Sequence, residues 1–280
     1  LACRLGAKRV YAIEPNEWIE LALPLAAKNG VADRIEVIRN FSNNVILPEQ
    51  ADVVMGDLRG SIPLTYTNVS ALRDAHRRFL KPGGIFIPQR DRVFVTLVSA
   101  ANFYNDRILE PWQRNDYDLD LTGALPYLAN AIVNIGFFDG NARVFASQLW
   151  FELDYLSGEL PQTAASIAWI AGGFGHAHFI LIWFDTTLFE DVGFTTAPWR
   201  DNRATIYGYS LLPLQAPLNF VPGDQITLDM RADLVQNEYI FTWNTTHRTS
   251  AGGAIKTAFQ QSSAMGHILP PPPPSNLVAS

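Results

Sequence analysis

The segment "RVYAIEPNEW", residues 9–18, decides how the first part of the chain is interpreted. Its apolar run "VYAI" is typical of a buried β-strand, and the strand ends on an acid, Glu14. Asn16 then offers a side chain that can cap a helix beginning near residue 17. The same order of strand, turn and helix recurs up to about residue 90. Strands separated by helices predict βαβ units and a largely parallel sheet, hence an α/β domain.

The other elements of this domain follow from similar local signals. We predict helices near 17–29 and 67–80, and further strands over 34–38, 51–55 and 84–88. Asn29-Gly30 is a typical end for the first helix, and "KPGG" at 81–84 for the second. Pro24 predicts a kink in the first helix.

After Pro88 the pattern changes to many short β-rich segments with frequent turn residues and few helical stretches. Such a pattern predicts an antiparallel sandwich or barrel. Residues 103–137 are aromatic and partly helical, which indicates an insertion into this β domain. The last residues, "ILPPPPPSNLVAS", hold five consecutive prolines and predict an extended linker or docking tail.

Composition narrows the classes of function. The chain has 280 residues and a net charge of -6. Because clustered Lys and Arg are not seen, no nucleic-acid partner is expected. One cysteine, Cys3, excludes an intrachain disulfide framework and favours a reducing compartment such as the cytoplasm. No apolar run reaches the roughly 18 residues that span a bilayer, so no membrane association is expected.

The position of Glu14 has two interpretations. In an open parallel sheet, ligands bind at the carboxyl ends of the strands, where an acid can accept hydrogen bonds from ribose hydroxyls. Alternatively, Glu14 is an acid on a solvated turn. The first interpretation requires a Gly-rich turn ahead of the helix that ends at Gly6. The sequence does not contain this turn, so we expect residues before Leu1 that supply it together with a central strand.

Three stretches carry a resemblance to a known family: "ACRLGAKRVYAIEPNEW", "VILPEQADVVMGDLRG" and "LRDAHRRFLKPGGIFIPQ". In order and spacing they resemble protein arginine methyltransferases. The resemblance implies S-adenosylmethionine as cofactor and an α/β plus β fold, in which a Rossmann-like domain (1–89) precedes a β-barrel (90–266). It also implies a helical dimerisation arm, about 112–137, inserted into the barrel, and thus a homodimer. A Pro-rich tail, 267–280, follows.

The resemblance also assigns cofactor contacts. Glu14 matches the acid that holds the cofactor ribose. The stretch that contacts the adenine falls on "RNFSNN", with Asn40, Phe41, Ser42 and Asn43 as candidates. There the family usually has a Gly-Lys-hydrophobic-Glu run, so these four residues are alternatively an ordinary polar loop.

The acceptor side departs from the family pattern. The family uses two glutamates to bind a guanidinium by charge-assisted hydrogen bonds and to orient it. In an ungapped alignment they fall on Asp57 and Tyr66, so one acid is shortened and the other replaced. A guanidinium with one anionic partner would be poorly compensated. The Thr-His-Trp triplet expected within 202–209 is absent from the sequence.

Three functions follow as hypotheses. The first is an S-adenosylmethionine-dependent methyltransferase whose acceptor is a protein, peptide or small molecule, with Asp57 positioning it beside Tyr66. The second is a catalytically inactive, dimeric binding module. The third keeps arginine methylation, with a carboxylate from another loop, such as Asp201, or from a partner subunit. A metal role for His176 and His178 is not favoured, because two ligands at strand spacing have no obvious third.

Overall fold

The computed structural model describes residues 1–114 and 117–266, without the side chains of residues 66, 67, 140 and 266. The predicted tail, 267–280, lies outside the described residues. The described chain divides into two compact units. Unit 1 comprises Leu1–Met55 and Ser70–Phe86, and unit 2 comprises Gly56–Val69 and the described residues from Ile87 onward. The segment 56–69, which the predicted boundary near residue 89 assigns to the first domain, thus belongs to unit 2.

Unit 1 contains the predicted alternation of strands and helices. Its strands are β1 (Val10–Ile13), β2 (Ile35–Ile38), β3 (Ala51–Met55) and β4 (Leu80–Ile87). Strands β1 and β2 pair in parallel with Ile13 opposite Ile38, and β3 pairs with β4. The longer helices are α1 (Ala22–Lys28) and α2 (Tyr66–Phe79), of which α2 belongs to unit 1 from Ser70 onward. The 3₁₀ turns span Ala2–Leu5, Glu17–Leu21, Ala32–Arg34 and Ser42–Asn44.

The helix ends differ in part from those predicted. Asn16 caps the first helical segment, because its side chain accepts from the Trp18 N–H at 3.0 Å. The segment is a 3₁₀ helix before α1, and Pro24 lies in the first turn of α1, where proline is tolerated. Helix α2 ends at Phe79, one residue before the predicted end, but the next strand begins at Leu80 rather than at residue 84, so "KPGG" lies inside β4. Gly84 is required there, because a Cβ would lie 2.9 Å from the Asp52 carbonyl oxygen.

Unit 2 is built from antiparallel sheets. Its strands are β5 (Arg90–Val98), β6 (Val133–Ile135), β7 (Gln148–Asp154), β8 (Ala165–Ile170), β9 (Gly175–Phe189), β10 (Val192–Thr195), β11 (Tyr209–Phe220), β12 (Gln225–Val235), β13 (Glu238–Arg248) and β14 (Ile255–Ser262). One sheet has the order β6-β11-β9-β5-β7, with β10 paired to β9, and the other has the order β14-β13-β12-β8. The sheets contact each other where β7 meets β8 and where β11 meets β14.

Alternation along these strands explains the core. In β5, Asp91, Val93, Val95 and Leu97 share one face and are all buried, and β13 buries every second residue from Phe241 to His247. Period-two burial is what a strand with one core-facing side requires. The described helices of unit 2 are short: α3 (Ala101–Tyr104), a π-helical turn (Asn105–Leu109), α4 (Glu110–Gln113), α5 (Leu125–Leu128) and α6 (Ser263–Gly266), with 3₁₀ turns at Thr122–Ala124 and Gly140–Ala142.

Most of these helices lie between β5 and β7, where the insertion is predicted. Tyr104 and Ile108 pack into a core cluster with Phe179 and Leu211, so the base of the insertion is tied to β9 and β11. Among the described residues, no helix combines the length and apolar character that crossing a bilayer requires.

Candidate functional site

Glu14 lies directly after β1, and the stretch that begins at Asn40 lies just after β2. The backbone N–H groups of Glu14 and Asn40 both donate to the carbonyl oxygen of Ile38, at 3.2 and 3.1 Å, so this one acceptor holds both segments. The two strands are parallel neighbours, so their carboxyl ends meet at the same edge of the pair. In unit 1 the structure therefore brings Glu14 and the 40–43 stretch together.

The Glu14 carboxylate has spare hydrogen-bonding capacity. Its Oε1 accepts from the Asn16 N–H at 3.0 Å, and the described residues provide no other donor. An ionised carboxylate offers about four lone-pair sites. Glu14 can therefore accept from two further hydroxyl groups, such as those of a ribose.

The 40–43 stretch is braced from behind by helix α2. Arg78 donates to the Val45 carbonyl at 2.6 Å and to the Ser42 carbonyl at 2.8 Å, and it is paired with Asp74. Phe41, in contrast, leaves 60% of its surface exposed. An aromatic ring held on a braced backbone and open to solvent is suited to stacking on a planar base. Asn40 uses its Oδ1 to accept from the Phe41 N–H, at 2.9 Å.

On the acceptor side, Asp57 is already paired within the chain. Its Oδ1 accepts from Arg59 Nε at 3.0 Å, and its Oδ2 accepts from the Tyr207 hydroxyl at 2.6 Å. About half of the Asp57 side chain is exposed, whereas 2% of the Arg59 side chain is. Tyr66 begins α2, and its side chain lies outside the described residues.

The second carboxylate beside Arg59 is Asp91, a residue that our sequence reasoning missed. Asp91 is fully buried, and its Oδ1 accepts from Arg59 Nη1 at 3.3 Å and from the Thr186 hydroxyl at 2.6 Å. Its Oδ2 accepts from the Tyr155 hydroxyl at 2.6 Å. Because Asp91 lies on the same strand face as Val93 and Val95 and between two arginines on the other face, strand periodicity could have identified it as a buried acid that needs a cation.

These six residues of unit 2, Asp57, Arg59, Asp91, Tyr155, Thr186 and Tyr207, are called the Arg59 cluster below. Arg59 Nη1 also donates to the Thr186 hydroxyl at 3.1 Å, and Nη2 donates to the Tyr207 hydroxyl at 3.3 Å. The guanidinium carbon lies 5.2 Å from the ring centre of Phe194 and 5.5 Å from that of Tyr207. The guanidinium is therefore held by two acids, two hydroxyl groups and two aromatic rings.

Protonation states follow from these contacts. Burial opposes ionisation of Asp57, but hydrogen bonds from Tyr207 and Arg59 outweigh it and lower its pKa below the usual value. Burial, together with Asp57, raises the pKa of Tyr207 to about 12, so this hydroxyl remains a donor at neutral pH. Burial raises the pKa of Asp91, although Arg59 acts in the opposite direction. Asp57 is thus an anionic hydrogen-bond acceptor and a poor proton donor.

The remaining candidates take no part in this cluster. Asp201 is exposed and lacks a hydrogen bond to any described residue. His178 is buried and accepts from the Ala100 N–H at 3.3 Å, whereas His176 contacts Asn219 at 2.5 Å. Burial lowers the pKa of His178, and the nearby His176 lowers it further to a smaller extent. In the part of the chain that the structure describes, no group of three or more His, Cys, Asp or Glu residues could hold a metal ion.

Comparison with known proteins identifies the fold. No family model matches the chain. A probable protein arginine N-methyltransferase 1.2 of Arabidopsis thaliana is 27% identical over 234 residues, which cover 81% of this chain and 62% of that protein. The Trypanosoma brucei PRMT1 enzyme-prozyme heterotetrameric complex with AdoHcy superposes with a TM-score of 0.79 at 17% identity, covering 93% of this chain and 83% of that one. The chain is protein arginine methyltransferase-like.

The resemblance seen in the sequence is therefore confirmed, as is the fold class of a Rossmann-like domain plus a β-barrel. Arabidopsis thaliana protein arginine methyltransferase 10 has the same fold, with a TM-score of 0.75 at 18% identity over 93% of this chain and 84% of that one. The chain spans less than two thirds of the length of its first curated relative. The stretch 202–209, to which the resemblance assigns a Thr-His-Trp triplet, supplies Tyr207 to the Arg59 cluster.

Proposed function

We propose that the chain is part of an S-adenosylmethionine-dependent methyltransferase of the arginine methyltransferase type. In this proposal Glu14 and the 40–43 stretch hold the cofactor, and Asp57 orients the acceptor. The observation that carries it is the joint anchoring of Glu14 and Asn40 on the Ile38 carbonyl. An acid with free lone pairs and a stretch with an exposed aromatic ring thus both follow the carboxyl ends of paired parallel strands, which supports the proposal.

The side chains present fit such a cofactor. Glu14 would accept from the two ribose hydroxyls, and Phe41 would stack on the adenine, with the Asn40 and Ser42 side chains as polar partners. Asn43, the last of the four predicted contacts, stands at the far end of the stretch. When bound, the cofactor supplies an electrophilic methyl group on sulfur. The complex of the Trypanosoma enzyme contains AdoHcy, which is consistent with this proposal.

Asp57 is proposed to position the acceptor. Its half-exposed carboxylate is held by Arg59 and Tyr207, so its direction is fixed before an acceptor binds. Fixing an acceptor in line with the methyl group is the main contribution that a protein makes to such a displacement. Tyr66 remains a proposed neutral neighbour, on the resemblance alone. The acceptor is a protein, a peptide or a small molecule.

Calorimetric titration with S-adenosylhomocysteine tests the cofactor site. Glu14→Gln keeps the shape but removes the charge, so hydrogen bonds to a charged group worth about 1.5–3 kcal/mol are weakened. We expect affinity to fall roughly 10- to 100-fold. Glu36→Gln, an exposed acid in β2, is the matched control and should bind as the parent does. Equal affinity of both variants would exclude Glu14 from the site.

Asp57→Asn tests the acceptor side. The variant should lower turnover while cofactor affinity stays nearly unchanged, because Asp57 is proposed to contact the acceptor alone. A parallel loss of both would make Asp57 a structural residue. Asp229→Asn, an exposed acid of β12, provides the charge-matched control.

One observation favours the second hypothesis, an inactive binding module. The Asp57 carboxylate is already neutralised by Arg59, so it is not free to bind a guanidinium. Cofactor binding without transfer to any acceptor would support this alternative. In both hypotheses we propose a homodimer formed through the arm, about 112–137. Deletion of the arm should halve the mass measured by light scattering, and an unchanged mass would refute that role.

A further inference from the structure

The Arg59 cluster has the composition of a guanidinium-binding site, but its occupant is the chain's own side chain. Of the five N–H groups of the Arg59 guanidinium, Nε donates to Asp57, Nη1 to Asp91 and Thr186, and Nη2 to Tyr207. Carboxylate forks and aromatic faces are the partners that a guanidinium prefers. With 2% of its side chain exposed, Arg59 is enclosed there rather than resting on the surface.

The two carboxylates of the Arg59 cluster differ in how many further hydrogen bonds they can accept. Asp91 is fully buried and accepts from three donors, Arg59, Thr186 and Tyr155, so it is closed to any ligand. Asp57 accepts from two donors and is about half exposed. A ligand can thus reach the cluster at the remaining lone pairs of Asp57.

The loop that carries Arg59 is itself anchored to the strands of unit 2. The Ser61 hydroxyl lies 2.8 Å from the Ser210 hydroxyl and donates to Asn134 Oδ1 at 3.0 Å. Asn68 donates to the Pro63 carbonyl at 2.6 Å. These contacts hold the loop on β6 and β11, so the Arg59 side chain enters the cluster from an anchored segment.

A second guanidinium at Asp57 would lie next to the first. Asp91 is closed to it, and each Asp57 oxygen already accepts one hydrogen bond, from Arg59 or from Tyr207, so the vacant pair of acids that a guanidinium prefers is taken by Arg59. The Asp57 carboxylate, in contrast, remains a good acceptor for an uncharged N–H or O–H group. Resting on the proposed function, we infer that Arg59 fills a guanidinium site, so that the acceptor positioned by Asp57 is an uncharged hydrogen-bond donor rather than an arginine side chain.

The test compares ethylguanidinium with its neutral isostere ethylurea as probes of thermal unfolding. Removing the side chain in Arg59→Ala opens the site, so we expect this variant to be stabilised by ethylguanidinium, at about tenfold lower concentration than the parent protein requires. Ethylurea should leave the variant unchanged. Arg59→Ala combined with Asp91→Leu lacks one acid and should lose the response. If Arg59→Ala does not fold alone, it is refolded in the presence of each probe, and ethylguanidinium but not ethylurea should restore its thermal transition, because only the former replaces the missing guanidinium.

Two results would overturn the inference. One is an Arg59 variant that does not respond to ethylguanidinium, which would show that the cluster is no guanidinium site. The other is a parent protein stabilised by ethylguanidinium as effectively as the variant, which would show that a second guanidinium binds beside Arg59. Neither result depends on cofactor binding, so failure of the proposed function in calorimetry remains distinguishable from failure of this inference.

Discussion

Removal of the Asp91 carboxylate measures how strongly the Arg59 cluster stabilises unit 2. Asp91 is fully buried and accepts hydrogen bonds from Arg59, Thr186 and Tyr155. In an Asp91→Leu variant the buried guanidinium keeps one anionic partner, the half-exposed Asp57. Breaking a buried ion pair on one side costs about 3–5 kcal/mol. We expect the free energy of unfolding of unit 2 to fall by about that amount.

A double-mutant cycle separates the pair from its surroundings. Arg59→Met alone leaves the Asp91 carboxylate buried without its cation, and it should cost about as much as Asp91→Leu. Together the two substitutions remove both charges, and the main remaining cost is that of the Thr186 and Tyr155 hydroxyls, about 1–3 kcal/mol for each unpaired group. The single variants should together cost about 6–10 kcal/mol and the double variant about 2–6 kcal/mol, so the coupling should be roughly 4 kcal/mol.

Urea unfolding followed by tryptophan fluorescence is the measurement. All tryptophans except Trp18 lie after residue 87, so the signal reports on unit 2. Asp229→Leu, at an exposed position of β12, controls for the loss of a carboxylate alone and should change stability little. Additive single effects, or single effects below about 1 kcal/mol, would refute the view that the cluster is a coupled, buried ion pair.

Three further predictions concern other parts of the chain. Arg78→Ala removes the hydrogen bonds that hold the loop 42–45, so it should weaken S-adenosylhomocysteine binding in calorimetry although Arg78 is not proposed to touch the cofactor. Unchanged affinity would contradict this prediction. The hydrogen bond from Lys256 lowers the pKa of Asp224 in the folded protein. The ionised Asp224 carboxylate therefore stabilises the fold above about pH 4, the ordinary pKa of an aspartate, and this stabilisation is lost as the pH falls below that value. Thermal midpoints of Asp224→Asn should accordingly depend less on acid pH than those of the parent, and parallel curves would contradict it. Asn16→Ala removes a helix cap and should cost about 1 kcal/mol in urea unfolding, and no loss would show that the cap is replaced by water.

Local patterns predicted much of unit 1 because the features that define it are local. The strands β1 to β3 and the cap at Asn16 each depend on residues within one short window. The start of β4 is missed because "KPGG" is a local turn signal, whereas pairing with β3 extends the strand back to Leu80, and Gly84 permits close approach to Asp52. Tertiary contacts of this kind lie outside any window that sequence patterns use.

The Arg59 cluster could not be assembled from the sequence for a similar reason. Arg59 and Asp91 are 32 positions apart, and Arg59 and Thr186 are 127 apart. Strand alternation could identify Asp91 as buried, but it does not say which of many arginines is the partner. Asp57 was found because the resemblance assigned it a role, and its pairing with Tyr207 depends on a loop 150 positions away.

The changed acceptor motif and the buried arginine are best understood as one change in charge balance. The resemblance assigns glutamates to positions 57 and 66, and two acids in one loop require a cation, which a guanidinium substrate would supply. Here position 66 is tyrosine, position 57 is a shorter acid, and the loop supplies its own cation in Arg59, which Asp91 compensates from β5. Because Arg59 donates to both Asp57 and Asp91, each acid has a cationic partner within the chain, and the loop can be stable without a cationic acceptor. Introducing a glutamate at position 66 alone would therefore restore the appearance of the motif but not a vacant guanidinium site, since Arg59 would still occupy the carboxylates.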